Sequence, residues 1–144
     1  MPMTLDAVLS QLPYEHPFLF VDGLTEINDN GANGWFRFTS DLPFYKGHFK
    51  DNPVTPGVLL IECCAQIGLV CLGIYLNRDS TTKTAIAMAD AQMEFYLPVL
   101  PGEKVMVSSE KLYFRFQKLK CKVTMRNENN RIVCRGIISG MASS

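Results

Sequence analysis

The chain has 144 residues, of which 47% are apolar and 19% charged. That length suits one domain, residues 1–144, burying roughly two-thirds of its unfolded surface, and the composition excludes a disordered chain. Lys plus Arg and Asp plus Glu number 14 each, for a net charge of 0, which excludes a histone-like or strongly basic nucleic-acid binder.

Five cysteines (Cys63, Cys64, Cys71, Cys121, Cys134) occur with no C-x-x-C pair and only two histidines. An odd number with that spacing argues against a zinc site or a disulfide framework and for reduced, buried thiols. The opening MPMTLDAVLSQLPYEHPF has neither a basic start nor an apolar run of signal-peptide length. An intracellular, reducing, cytoplasmic setting is the expectation.

In chain order, residues 4–11 predict a short helix that stops at Leu12-Pro13. Phe18 to Ile27 reads as a strand, Asn28 to Gly31 as a turn, and Gly34 to Thr39, with Trp35, Phe36 and Phe38, as a second strand. Residues 41–56 are loop-like, with prolines at 43, 53 and 56. Residues 57–76 are apolar on nearly every face and almost long enough to span a bilayer. Glu62, Gln66 and the lack of a Lys/Arg flank argue instead for a helix buried in a protein core, with Pro56 in its first turn and Thr55 as its cap. Residues 84–95, a Val99-Leu100-Pro101-Gly102 turn and a strand from about 103 follow. Over 112–126 the apolar alternation slips from even positions (Leu112, Phe114, Phe116) to odd ones (Leu119, Cys121, Val123, Met125). A one-residue slip exchanges sheet faces, so a bulge or sharp bend is expected near Gln117–Lys118. Asn127 to Asn130 turns the chain, and Ile132 to Met141 is expected to close the sheet. The order predicts an α+β fold, an antiparallel sheet wrapped around one long helix.

Two residues carry chemistry. His48 lies in Gly47-His48-Phe49, just before the helix, and Glu62 lies about one and a half turns into it. A lone carboxyl among Leu59, Leu60, Ile61, Cys63 and Cys64 is costly to bury ionised, and desolvation favours its protonated, proton-donating form. Gln66 sits one turn further on the same helix face, spaced to orient that carboxyl. The residues alone leave two readings for Glu62: a proton donor, or a buried acid satisfied by backbone or water. His48 is likewise either a base or an ordinary loop histidine. The first free N–H groups of the helix, Gly57's included, point at whatever enters the site and polarise a carbonyl. Base, acid and oxyanion donor together suit proton abstraction beside a carbonyl with loss of a β-hydroxyl.

Leu12-Pro13-Tyr14-Glu15-His16-Pro17-Phe18-Leu19-Phe20-Val21-Asp22, then Gly47-His48-Phe49, Pro53-Val54-Thr55-Pro56-Gly57-Val58-Leu59, Glu62 and Ala65-Gln66 form a recognisable series. Leu97-Pro98-Val99-Leu100-Pro101-Gly102-Glu103 completes it. The series resembles the hot-dog-fold 3-hydroxyacyl-[acyl-carrier-protein] dehydratases over roughly residues 11–140. Glu rather than Asp at position 62 is similar to the branch that makes trans-2-enoyl products only. The resemblance implies a hot-dog fold, a dimer or higher homo-oligomer with sites at its interface, and a carrier-bound 3-hydroxyacyl thioester as substrate. It implies His48 of one subunit as the base at C2, facing Glu62 of the other, with Gln66 orienting Glu62 and the Gly57 N–H on the thioester oxygen. No metal, cofactor, membrane or nucleic acid is called for, and a heterodimer with a paralogue is an alternative assembly.

The chain departs from that family pattern where Lys50-Asp51 replaces Pro-Gly, Gly23 replaces a basic residue, and Glu94, Tyr96 and Leu97 replace basic residues. These changes point to altered carrier docking or substrate choice, as in a specialised lipid or polyene pathway. His16 falls on no catalytic position and reads as structural. Residues 110–135 hold eight basic residues (Lys111, Arg115, Lys118, Lys120, Lys122, Arg126, Arg131, Arg135) against Glu110 and Glu128. Arg115, Lys118, Lys120 and Lys122 read as a docking face for an acidic carrier protein or as a solvated strand face. Two further functions compete with dehydration: a hot-dog thioesterase, and a non-catalytic subunit that binds acyl chains.

Overall fold

The computed structural model describes residues 3–80 and 85–143; Thr84, at the start of the 84–95 segment, lies outside them. Helix α1 (Leu5–Ser10) is capped by Thr4, whose side chain accepts the Ala7 N–H. Six strands follow: β1 (Gly23–Asn28), β2 (Gly31–Arg37), β3 (Ala85–Phe95), β4 (Lys104–Arg115), β5 (Lys118–Asn127) and β6 (Ile132–Ser143). They form one antiparallel sheet in the order β1-β2-β4-β5-β6-β3.

Between β2 and β3, helix α2 (Gly57–Ala65), a π-helical stretch (Gln66–Val70) and helix α3 (Cys71–Leu76) run on without a break. At 1.5 Å per residue this central helix is about 30 Å long. Its mean hydropathy is 2.1, and every residue from Cys63 to Tyr75 is buried, because the sheet wraps around it. On β5, Leu119, Cys121, Val123 and Met125 face inward at 0–1% exposure, while Lys118, Lys120 and Lys122 point outward by the two-residue period. Gly68 permits the contact: a Cβ there would stand 2.9 Å from Ser109 Cβ and 3.0 Å from Val123. The result is the expected hot-dog arrangement, with all five cysteines unpaired and buried in its core.

Four expectations need correction. The first strand begins at Gly23, not Phe18. The backbone at Phe18 and Phe20 is bonded to the Gln66 side chain instead of to a neighbouring strand. Of the bulge or sharp bend expected near Gln117–Lys118, the bend is present, but as a full reversal that makes two strands of 112–126: Phe116 and Gln117, at φ 52° and 63°, form a two-residue hairpin turn, and the parity switches while the register partners Phe114 and Leu119 stay on one face. A β4 bulge does occur, earlier, between Lys111 and Tyr113. Thr55 does not cap the helix; Pro56 occupies that position without a side-chain bond, and the Thr55 hydroxyl is 2.5 Å from Tyr45 Oη. Finally, β6 does not close the sheet but lies between β5 and β3, leaving β3 at the edge.

Candidate active site

The approach to the helix is a folded loop. A 3-10 turn (Pro43–Lys46) ends with Gly47 and His48 N–H both donating to Phe44 O at 3.1 Å. Phe49 and Asn52 exchange backbone bonds of 3.0 and 2.9 Å around Asp51, whose φ is +64°. Beyond that turn, Val54 N–H donates to His48 O at 2.9 Å, and His48 Nδ1 lies 2.9 Å from Val54 O. A carbonyl can only accept, so Nδ1 carries the proton. The neutral ring therefore keeps its lone pair on Nε2. His48 is half-buried, its ring stacked on Phe49 with centroids 3.9 Å apart.

The Leu97–Glu103 turn anchors this loop. Thr55 N–H donates to Val99 O at 2.9 Å, and Val99 is fully buried. Phe38 N–H donates to Glu103 O at 2.9 Å, and Arg37 Nη1 donates to Gly102 O at 2.8 Å. Gly102 itself sits at φ +94°, a conformation that glycine takes without a Cβ penalty.

The helix start is open to a ligand. Leu59 and Leu60 N–H both donate to Pro56 O, so the N–H groups of Gly57 and Val58 are left as its first free donors. A pocket of about 320 Å³ lies there, lined among others by Thr55, Gly57, Leu60 and Phe95. The Phe95 ring comes to within 3.3 Å of where a Gly57 Cβ would stand.

Glu62 is half-buried rather than enclosed. Gln66, at 0% exposure, donates from Nε2 to Glu62 Oε2 at 2.9 Å and to Phe18 O at 3.0 Å. Its Oε1 accepts Phe20 N–H at 2.8 Å. With both N–H donors and the oxygen engaged, the amide has one orientation, and the carboxyl is aimed by a group that cannot turn. Cys63 Sγ adds a contact to Phe20 O at 3.4 Å.

Tyr14 escapes sequence reasoning. Burial, then the nearby carboxylate of Glu62, pushes its phenol up to about 12, so the hydroxyl stays protonated. No spacing rule links position 14 to 62; the link runs through the fold, with the Tyr14 ring 6.4 Å from Phe18. His16 is exposed and joined to Pro17 by a cis peptide.

The protomer does not bring the four proposed docking residues to this place. Arg115 and Lys118 pair across the β4–β5 turn, with Lys120 and Lys122 following on the outer face. The adjacent Leu119 packs at Gly73, near the helix's last turn, whereas Phe95 packs at Gly57, its first residue. Arg115 and Lys120 lie 4.4 and 5.9 Å from the Tyr113 ring.

Comparison with known proteins agrees with this architecture. A family model described as a FabA-like domain matches residues 12–135. The 3-hydroxyacyl-[acyl-carrier-protein] dehydratase FabZ of Caldicellulosiruptor saccharolyticus is 34% identical over 131 residues, 90% of this chain and 91% of its own. The FabZ of Herpetosiphon aurantiacus is 37% identical over 127 residues, 85% of this chain and 88% of its own. Among solved structures, the dehydratase heterocomplex ApeI:P of Xenorhabdus doucetiae superposes with a TM-score of 0.81 at 13% identity, covering 100% of this chain and 92% of that one. A thioesterase of Haemophilus influenzae gives 0.70 at 15% identity, covering 100% and 93%; both likenesses speak for the fold alone. Sequence and fold together place the chain in the FabA-like family of hot-dog proteins.

Proposed function

We propose that the chain dehydrates a 3-hydroxyacyl thioester borne on acyl carrier protein, as its FabZ relatives are named for doing, and that its product is the trans-2-enoyl thioester. The observation that carries this reading is the state of the two candidate groups. His48 is held with Nε2 as its free basic nitrogen, and Glu62 is aimed by an immobile amide.

In the reaction the Gly57 N–H binds the thioester oxygen, which stabilises charge that develops when C2 loses its proton. His48 Nε2 takes that proton, the C2–H electron pair forms the C2=C3 bond, and the C3–O bond breaks. Protonated Glu62 gives its proton to the departing hydroxyl, which leaves as water. His48 is then an imidazolium and Glu62 a carboxylate; return of one proton from the first to the second restores the site.

The site is proposed to be shared by two copies, His48 of one facing Glu62 of the other. Strand β3 supports the assembly: it is an 11-residue edge strand with nearly every residue exposed, Met88 at 43% and Phe95 at 47%. A long, apolar, unpaired edge is a template for another strand. The same strand of a second copy continues the sheet antiparallel and covers those side chains. A cytoplasmic location follows from a carrier-bound substrate and five free thiols. Assay of hydration and dehydration on carrier-protein thioesters, with His48→Ala and Glu62→Gln beside the wild type, tests the reading.

A further inference from the structure

Two buried hydroxyls meet at the wall of the pocket beside Gly57. Thr55 and Tyr45 are each only 5% exposed, and their hydroxyl oxygens are 2.5 Å apart. Thr55 lines the pocket together with Gly57, while Tyr45 stands behind it on the 3-10 turn. The backbone of each is already bonded, Thr55 N–H to Val99 O at 2.9 Å and Tyr45 N–H to Leu42 O at 3.3 Å. Two hydroxyls carry two protons, and the bond between them uses one. Among the described residues, no acceptor is bonded to the other. Burial raises the Tyr45 phenol above its ordinary value, outweighing the bond to Thr55, which lowers it; the phenol therefore keeps its proton at neutral pH.

A buried donor left without an acceptor is destabilising, and this decides the direction of the bond. If Thr55 donated to Tyr45, the remaining proton would be the phenol's, on a residue that does not border the pocket. If Tyr45 donates to Thr55, the remaining proton belongs to a residue that does. Only the second arrangement lets an occupant of the pocket complete the pair. It also makes Thr55 the better donor, because a hydroxyl that accepts one bond is polarised toward giving another. The inference rests on the thioester reading above, in which the occupant's carbonyl oxygen is bonded to Gly57 N–H. We propose that Tyr45 donates to Thr55 and that Thr55 donates to that same carbonyl oxygen. A polarised hydroxyl and a backbone N–H then hold together the charge that develops there. Thr55 is a catalytic residue on this assignment, and Tyr45 a positioning residue that acts through it. A donor to an oxygen that gains charge lowers the barrier more than it tightens binding.

Turnover of a 3-hydroxyacyl thioester supplies the first readout. Thr55→Val should lose about tenfold or more in kcat with KM nearly unchanged, and Thr55→Ser, which keeps the hydroxyl, should recover most of the loss. Tyr45→Phe should fall between wild type and Thr55→Val. The Tyr45→Phe/Thr55→Val double variant removes both hydroxyls and leaves no donor unpaired; it should melt close to wild type and still show the full loss in kcat. A kcat that Thr55→Val leaves unchanged, or a loss that follows melting temperature across the four variants, overturns the proposal. The second readout needs no dehydration. A saturated acyl N-acetylcysteamine thioester, labelled with carbon-13 at its carbonyl, is bound and its infrared carbonyl band recorded; the band falls in frequency as the oxygen accepts stronger bonds. It should lie lower in wild type and Thr55→Ser than in Thr55→Val and the double variant. Equal bands in wild type and Thr55→Val overturn the proposal while leaving dehydration itself standing. A wild type that dehydrates no thioester yet keeps the band difference sinks the dehydratase reading and leaves Thr55 as a donor to the carbonyl.

Discussion

Gln66 Nε2 stands 2.9 Å from Glu62 Oε2 while the same amide holds Phe18 O and Phe20 N–H. One fully buried side chain therefore joins the candidate acid to the segment that crosses behind it. Gln66→Ala leaves the Phe20 N–H and the Phe18 carbonyl without partners, which costs roughly 2–4 kcal/mol in all. The variant should lose that much stability in urea unfolding. It should also lose at least tenfold in kcat, with KM little changed and the pH–rate profile displaced, because Glu62 is no longer aimed. A variant that loses stability but keeps the wild-type profile would make Gln66 structural only.

The shared site makes a stricter prediction. His48→Ala and Glu62→Gln homodimers are both expected to be inactive. After mixing and subunit exchange, half of the dimers are mixed, and each mixed dimer has one site with both groups intact. Activity should return to about a quarter of wild type. No recovery after exchange, verified by mass, would place both groups in one protomer.

The thiols report on the core. Burial pushes Cys71 and Cys121 up to about 12 from an ordinary value near 9, and holds Cys63 well above its usual range. The native protein should react slowly with a thiol reagent, and all five should react once it unfolds. Linkage fixes the sign with pH. Once unfolded, Cys71 and Cys121 lose their protons near 9, whereas in the folded chain they keep them to about 12, so the stability these two contribute is fully present below 9 and falls between those values. Rapid labelling of the native state, or a melting temperature flat from pH 8 to 11, would contradict this.

The β4–β5 turn carries a cost that can be removed. Phe116 and Gln117 both have φ above 50°, in the type I′ region where Asn-Gly is preferred. Phe116 is also 91% exposed, so it packs against almost nothing. Phe116→Asn/Gln117→Gly should stabilise the fold by about 0.5–1.5 kcal/mol. A loss of stability would mean that the aromatic ring is held in the assembled protein.

This turn also explains where the sequence stops being legible. A slip in alternation is visible in one dimension, but a bulge and a reversal shift parity alike, and Phe-Gln carries no turn signature. The Gly47-His48-Phe49 and Pro56-Gly57 motifs and the Glu62–Gln66 spacing are local, and the fold keeps them in adjacent loop and helix. The other two bonds of Gln66 cross to residues 18 and 20, over separations of 48 and 46, and no periodicity encodes them. They are why an apolar run at Phe18 that reads as a strand is not one. The alternation of Lys118, Lys120 and Lys122 gives their common face but not their distance from Gly57. Arg135 is only part of a charge run until β6 sets it beside Tyr96.

The most direct test measures water and thiol together. Wild type is supplied with a 3-hydroxyacyl carrier-protein thioester and, separately, with the trans-2-enoyl product, and the assay follows enoyl formation, rehydration and free thiol. Reversible interconversion without thiol release is expected, reduced by orders of magnitude in both His48→Ala and Glu62→Gln while each variant keeps its fold. Release of free thiol from wild type would instead make the chain a thioesterase on the same scaffold, and an inactive wild type that still binds the carrier would make it a non-catalytic partner.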